Sequence, residues 1–172
     1  MMELLELKNK IVELFGVDID HLGDALMSAV TDNRTDLYDQ FCELVGNDLS
    51  VDWMQKIFQY YHADRKEKKQ DYTPKSIADF MGLLVGNSDI VVDMCAGSGA
   101  LTIQKWVQNP TQKFRLFELD EKVIPFLLFN LVVRNIDSSV CRADVLSNEK
   151  FEQWRISKGE KYGSITYFKS TV

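Results

Sequence analysis

The chain has 172 residues, 45% of them hydrophobic, and a formal net charge of −6, enough for one real core with a small helical annex. Its three cysteines, Cys42, Cys95 and Cys141, stand far apart, and its two histidines, His21 and His62, share no ligand spacing with them. These counts argue against a zinc site, a histidine triad and a disulfide framework, and for a cytoplasmic protein with reduced thiols. The longest apolar run, Val123 to Val133, is too short to span a bilayer and contains Pro125 and Asn130. The acidic start at Glu3 and Glu6 lacks the basic residues of a signal peptide, so no membrane role is expected.

Charge is unevenly spread. Residues 1–64 hold 13 acids against 4 bases, and residues 65–172 hold 13 against 16. Solvated acidic helices are the plain reading of the first segment, which makes a poor nucleic-acid surface; the second is merely permissive.

The first 69 residues read as helices. Leu4, Leu5, Ile11, Val12, Leu14 and Phe15 recur at helical spacing and stop at Gly16. Further helices are predicted over Asp20 to Val30, Thr35 to Val45 and Val51 to Ala63, the last with Tyr60-Tyr61-His62 on a buried face. A charged connector, Arg65 to Gln70, follows. From Asp71 the pattern alternates. Thr73-Pro74 reads as a hydroxyl cap and a first-turn proline, with Ile77, Phe80, Met81 and Leu84 forming the packed face behind it. Strands are predicted near Asp89–Met94, Lys113–Leu119, Val140–Arg142 and Gly163–Phe168. Helices are predicted over Ala100–Val107 and Asp120–Arg134, the latter stopped by Asn135, and a short helix or loop precedes the last strand. This alternation predicts an α/β protein with a parallel, doubly wound sheet, whose ligands gather at the strand carboxyl ends. Residues 1–69 form a helical part and residues 70–172 the sheet-bearing part.

One stretch carries the chemistry. Asp93-Met94-Cys95-Ala96-Gly97-Ser98-Gly99 places an acid and a Gly-x-Gly turn between a strand and a helix, which brings backbone N–H groups close to a small polar ligand. Glu118 lies 19 residues beyond Gly99, where a nucleotide-binding fold grips ribose hydroxyls. Asp144 ends the third strand, so Asp93, Glu118 and Asp144 are expected along one crevice. Cys95 reads as a small spacer rather than a nucleophile, since nothing beside it in sequence offers a base. Asp120 reads as a cap for the following helix.

The segment Asp93 to Leu101 resembles the S-adenosylmethionine motif of class I methyltransferases, in the form used by N6-adenine DNA methyltransferases. Tyr72-Thr73-Pro74 resembles that family's preceding segment, which contacts the methionine part of the cofactor. Glu118-Leu119 is similar to its ribose-binding strand end, and Asp144-Val145 to the acid set against the adenine ring. The helical part resembles modification subunits of type I restriction systems. The resemblance therefore implies a Rossmann-like class I methyltransferase fold behind a small helical domain. It implies S-adenosyl-L-methionine as cofactor, held by Tyr72, Thr73, Pro74, Asp93, Cys95, Ala96, Gly97, Gly99, Glu118, Leu119, Asp144 and Val145. It also implies DNA as the larger partner.

One family feature is missing. The fourth strand of such enzymes ends in Asn/Asp-Pro-Pro-aromatic, whose oxygens accept the target amine while the ring stacks on the flipped base. Here the only prolines are Pro74, Pro110 and Pro125, so no catalytic residue is assigned. Two readings stay open: a piece of a longer enzyme that is inactive alone, and a degenerate homologue acting as a non-catalytic interaction subunit. Both expect pairing with another copy or a partner subunit at an exposed sheet edge near Gly163–Phe168. A nicotinamide oxidoreductase fits less well, because Thr102 stands where that fingerprint has its third glycine.

Overall fold

Helix-forming periodicity fills the first third of the chain, and the computed structural model, which describes residues 3–61, 73–86 and 88–169, turns it into four short helices. These are α1 (Leu4–Phe15), α2 (Leu22–Thr31, entered through a 3-10 turn at Ile19–His21), α3 (Thr35–Leu44) and α4 (Trp53–Tyr61). The apolar spacing of α1 buries Leu7 and Ile11, one turn apart. Its end follows from Gly16, left-handed at φ +65°, with Gly16 N–H on the Glu13 carbonyl (3.2 Å) and Val17 N–H on that of Val12 (3.2 Å). Tyr60 is 71% exposed, not buried as its run of aromatics predicts, and His62 lies outside the described residues.

Then come α5 (Lys75–Leu84), β1 (Ile90–Asp93), α6 (Ala100–Gln108), β2 (Lys113–Glu118), α7 (Ile124–Val133), β3 (Ser138–Asp144), β4 (Glu149–Ser157) and β5 (Ser164–Lys169). The strands form one sheet in the order β1-β2-β3-β4-β5. β1, β2 and β3 run parallel; β4 and β5 are antiparallel additions. The α/β class and the parallel run of β1, β2 and β3 are as expected, and the mixed sheet brings two corrections. The segment predicted as a short helix or loop contains β4, whose buried Trp154 and Ile156 alternate with Gln153 and Arg155. The last strand lies beyond β4, at the edge remote from β1. A parallel strand needs a crossover of a dozen or more residues, and the short link from β4 allows only an antiparallel return.

Register sets the layers. Phe114, Ser138 and Ile156 lie in one cross-strand row, and Leu116, Val140 and Trp154 in the next; all six are buried. The alternate residues Ile90, Val92, Lys113 and Arg115 are exposed on the other face. Against the buried face lies α7, apolar on every side, as befits a helix surrounded by protein. Phe129 of α7 makes edge-on ring contacts with Phe15 (5.6 Å), Tyr38 (5.8 Å) and Phe41 (5.1 Å), while Phe126 meets Phe58 at 5.1 Å. One core therefore runs from α1–α4 through α7 into the sheet.

Asn135 ends α7 in the left-handed region (φ +55°), as expected of a stop residue. Its side chain also brackets the link between β4 and β5: Nδ2 donates to the Gly159 carbonyl and Oδ1 accepts the Gly159 N–H, both at 2.9 Å. The start of α5 differs from expectation. Pro74 itself occupies the cap position without a side-chain cap bond, and its carbonyl accepts the N–H groups of Ile77 and Ala78, each at 3.0 Å. The facing of α5 differs too. Ala78 and Gly82 are buried, while Ile77, Phe80, Met81 and Leu84 are exposed. A Cβ on Gly82 would stand 2.8 Å from the Gln108 amide nitrogen, so the smallest residues of α5 mark its close approach to α6.

Candidate functional site

Between Asp93 and Ala100 the chain must leave a strand and open a helix within six residues, and its two glycines make that possible. Gly97 (φ +56°) and Gly99 (φ +98°) are both left-handed. A Cβ on Gly99 would also lie 3.0 Å from Leu127 Cδ1, so a side chain here would add a tight contact to an already strained backbone. The Gly99 carbonyl accepts the Ile103 N–H (2.8 Å) and opens α6, and Ala96 N–H donates across to the Phe117 carbonyl (2.9 Å), tying the turn to β2.

Glu118 completes the clasp. Its Oε2 accepts the Gly97 N–H, and its Oε1 accepts those of Leu119 and Asp120, all at 2.8 Å. The two residues that stand 21 apart in sequence are thereby brought into direct contact. Asp93 Oδ1 accepts the Cys95 N–H at 3.1 Å; burial pushes its carboxyl above the usual range, and that N–H opposes the shift. The Cys95 thiol is raised by burial and by the charges of Glu118 and Asp93, so it stays protonated, in line with a spacer.

The strand ends form a staircase. Asp93 is level with Leu116, whereas Glu118 is level with Arg142, and Asp144 lies two residues further on. Each step is thus roughly 6–7 Å along the strand direction. Asp144 Oδ1 accepts N–H groups from Leu146 (2.9 Å) and Ser147 (3.3 Å), which hold its carboxyl below the ordinary range. Lys122 N–H donates to Asp120 Oδ1 at 3.2 Å, so Asp120 shapes the turn before α7 rather than its first helical residue. Met94, Leu119, Val145 and Leu146 stand exposed near these ends, Leu146 at 96%. The Thr73 carbonyl accepts a bond from Gln55 Nε2 of α4 at 3.4 Å, and Tyr72 lies outside the described residues.

Four residues of the site went unread in the sequence: Asp52, Ser98, Asn130 and Arg134, all buried. Asp52 Oδ1 caps α4 through the Gln55 N–H (2.8 Å) and accepts Asn130 Nδ2 (2.8 Å), while its Oδ2 accepts the Ser98 hydroxyl (2.7 Å). Asn130 Nδ2 also donates to the Ser98 carbonyl (2.8 Å), and Arg134 Nη1 donates to Asn130 Oδ1 (2.8 Å). Arg134 Nε and Nη2 donate to the carbonyls of Leu49 and Val51, each at 2.8 Å, and Nη1 also to that of Asn130 at 3.0 Å. Burial pushes the Asp52 carboxyl up and lowers Arg134 to about 10. Two signals were present in the sequence: a capping pair, Asp52 with Gln55, and a lone amide inside an apolar run.

A glycine turn after β1, clasped by an acid after β2 within a partly parallel sheet backed by helices, defines a Rossmann-like fold of the class I methyltransferase type. A family model described as N-6 DNA Methylase matches residues 46–162, and the chain belongs to that family. No curated protein and no solved structure matches the chain. Among the described residues, no helix is long and apolar enough to cross a membrane, and no group of three His, Cys, Asp or Glu side chains is placed to hold a metal ion.

Proposed function

We propose that the chain is the S-adenosylmethionine-binding part of an N6-adenine DNA methylase, inactive alone and cytoplasmic, reaching DNA through a larger assembly. The observation that carries this reading is the contact between the Gly97 N–H and Glu118 Oε2, which sets the acid against the glycine turn. The residues present fit the cofactor. Each carboxylate oxygen has two acceptor positions, so the single bond on Oε2 leaves room for a ribose hydroxyl. Exposed Leu119 and Val145 offer apolar surface to an adenine ring, and Asp144, held ionised, offers an acceptor to its exocyclic amine. Asp93, Cys95, Ala96, Gly97 and Gly99, with Tyr72, Thr73 and Pro74, serve the methionine end. The bound cofactor supplies an electrophilic methyl group; this chain's part is to grip and orient it. These 172 residues hold no Pro-Pro, so no residue is assigned to accept a target amine.

Calorimetric titration with S-adenosylmethionine tests the assignment. Saturable binding that Glu118→Ala weakens at least about tenfold is expected, a loss of ~1.4 kcal/mol or more. No heat at millimolar ligand overturns it. The alternative, a non-catalytic degenerate homologue acting as an interaction subunit, draws on Glu118 already taking three backbone N–H groups, a structural task needing no ligand. In either case β5, an edge strand with exposed Tyr167 and Phe168, is the proposed site of self-association or subunit pairing. A sedimentation run showing only compact monomer counts against that pairing.

A further inference from the structure

We infer that Asp52, contributed by the helical part of the chain, is a positioning residue of the glycine turn between β1 and α6. Its carboxylate divides its work. One oxygen caps α4 and meets Asn130; the other is given to the Ser98 hydroxyl, 46 residues away in sequence. Ser98 lies between the two left-handed glycines, where the backbone has most freedom to lose. Its hydroxyl is held by Asp52 and its carbonyl by Asn130, so the centre of the turn is fixed on both sides.

Asn130 is itself oriented without ambiguity. The Arg134 guanidinium, which only donates, takes the amide oxygen, and the amide nitrogen must then face Asp52 and Ser98. The result is a buried relay of cation, amide, anion and hydroxyl. A helix cap alone gives no reason to bury a carboxylate at the desolvation cost this one carries. A turn that must present its N–H groups in one geometry does give such a reason. The functional consequence rests on the S-adenosylmethionine reading; the geometry does not.

The test uses the full chain with Asp52→Asn, Ser98→Ala and the double variant. In ligand-free protein, each single variant is expected to speed amide hydrogen exchange at Gly97, Ser98 and Gly99 by about tenfold or more, while amides of α7 keep their protection. In titrations, each is expected to weaken S-adenosylmethionine binding by about tenfold, with the double variant no weaker than the singles within roughly twofold, as for two groups acting through one bond. Unchanged exchange at the turn in both single variants overturns the inference, as do losses of affinity that add in the double variant. Should Asp52→Asn fail to fold, Ser98→Ala, which leaves the α4 cap intact, decides alone. A wild-type chain that binds no cofactor would defeat the cofactor reading, and the exchange data would still decide the role of Asp52.

Discussion

Helices α7 and α5 are each ten residues long and mostly apolar, yet they sit in opposite surroundings. In α7 every large side chain is buried, because the sheet lies on one side and α1–α4 on the other. In α5 only Ala78 and Gly82 are buried; Ile77, Phe80, Leu83 and Leu84 form an exposed apolar stripe. Hydrophobic content alone therefore does not tell which face of a helix is packed. In α5 close approach selects the smallest residues; α7 has no exposed side at all.

Substitutions on the two helices should separate by an order of magnitude. Phe129→Ala, at the centre of three edge-on ring contacts, is expected to cost about 3–5 kcal/mol in chemical unfolding. A loss below about 1 kcal/mol would remove α7 from the centre of the core. Next in size is an alkaline effect confined to the α7 side. Tyr38, buried against Phe129 and donating to the Ala29 carbonyl at 2.7 Å, is raised by burial from 10.0 to about 12. The folded state keeps this proton where the unfolded state loses it. Stability is thus fully present below pH 10 and is lost as pH rises toward about 12, at up to roughly 1.4 kcal/mol per pH unit. Tyr38→Phe should be less stable at neutral pH but flatter across that window; an unchanged slope in urea titrations refutes the assignment. Smallest is Phe80→Ser on α5, expected within about 0.5 kcal/mol of wild type. A loss above roughly 2 kcal/mol in the same assay would mean that this face is packed.

Much of the architecture was legible because it is written locally. The helical spacing of Ile11, Val12, Leu14 and Phe15, the stops at Gly16 and Asn135, and the glycine turn itself each follow from a few neighbouring residues, while Glu118 was found by its fixed distance from Gly99. What escaped is what depends on distant partners. β4 begins with Glu149 and Lys150 and pairs along its length with β3, so its charged start hid two buried positions. The pattern of α5 gave an apolar face but not what lies opposite it. The link from Asp52 to Asn130 spans 78 residues, and no local rule connects a helix cap to an amide in a later helix.

Phe129 and Asn130 are consecutive, so their side chains leave α7 about 100° apart. One enters the cluster of rings among α1 and α3, and the other sits beneath Ser98 of the glycine turn. The helix thus behaves as an axle with two pins set at a fixed angle. Any torsion that relieved crowding at the rings would swing the amide away from the turn, and an inserted residue between them would disengage one pin or the other. The orientation of the glycine turn is thereby geared to the packing of aromatic side chains one residue away on that axle.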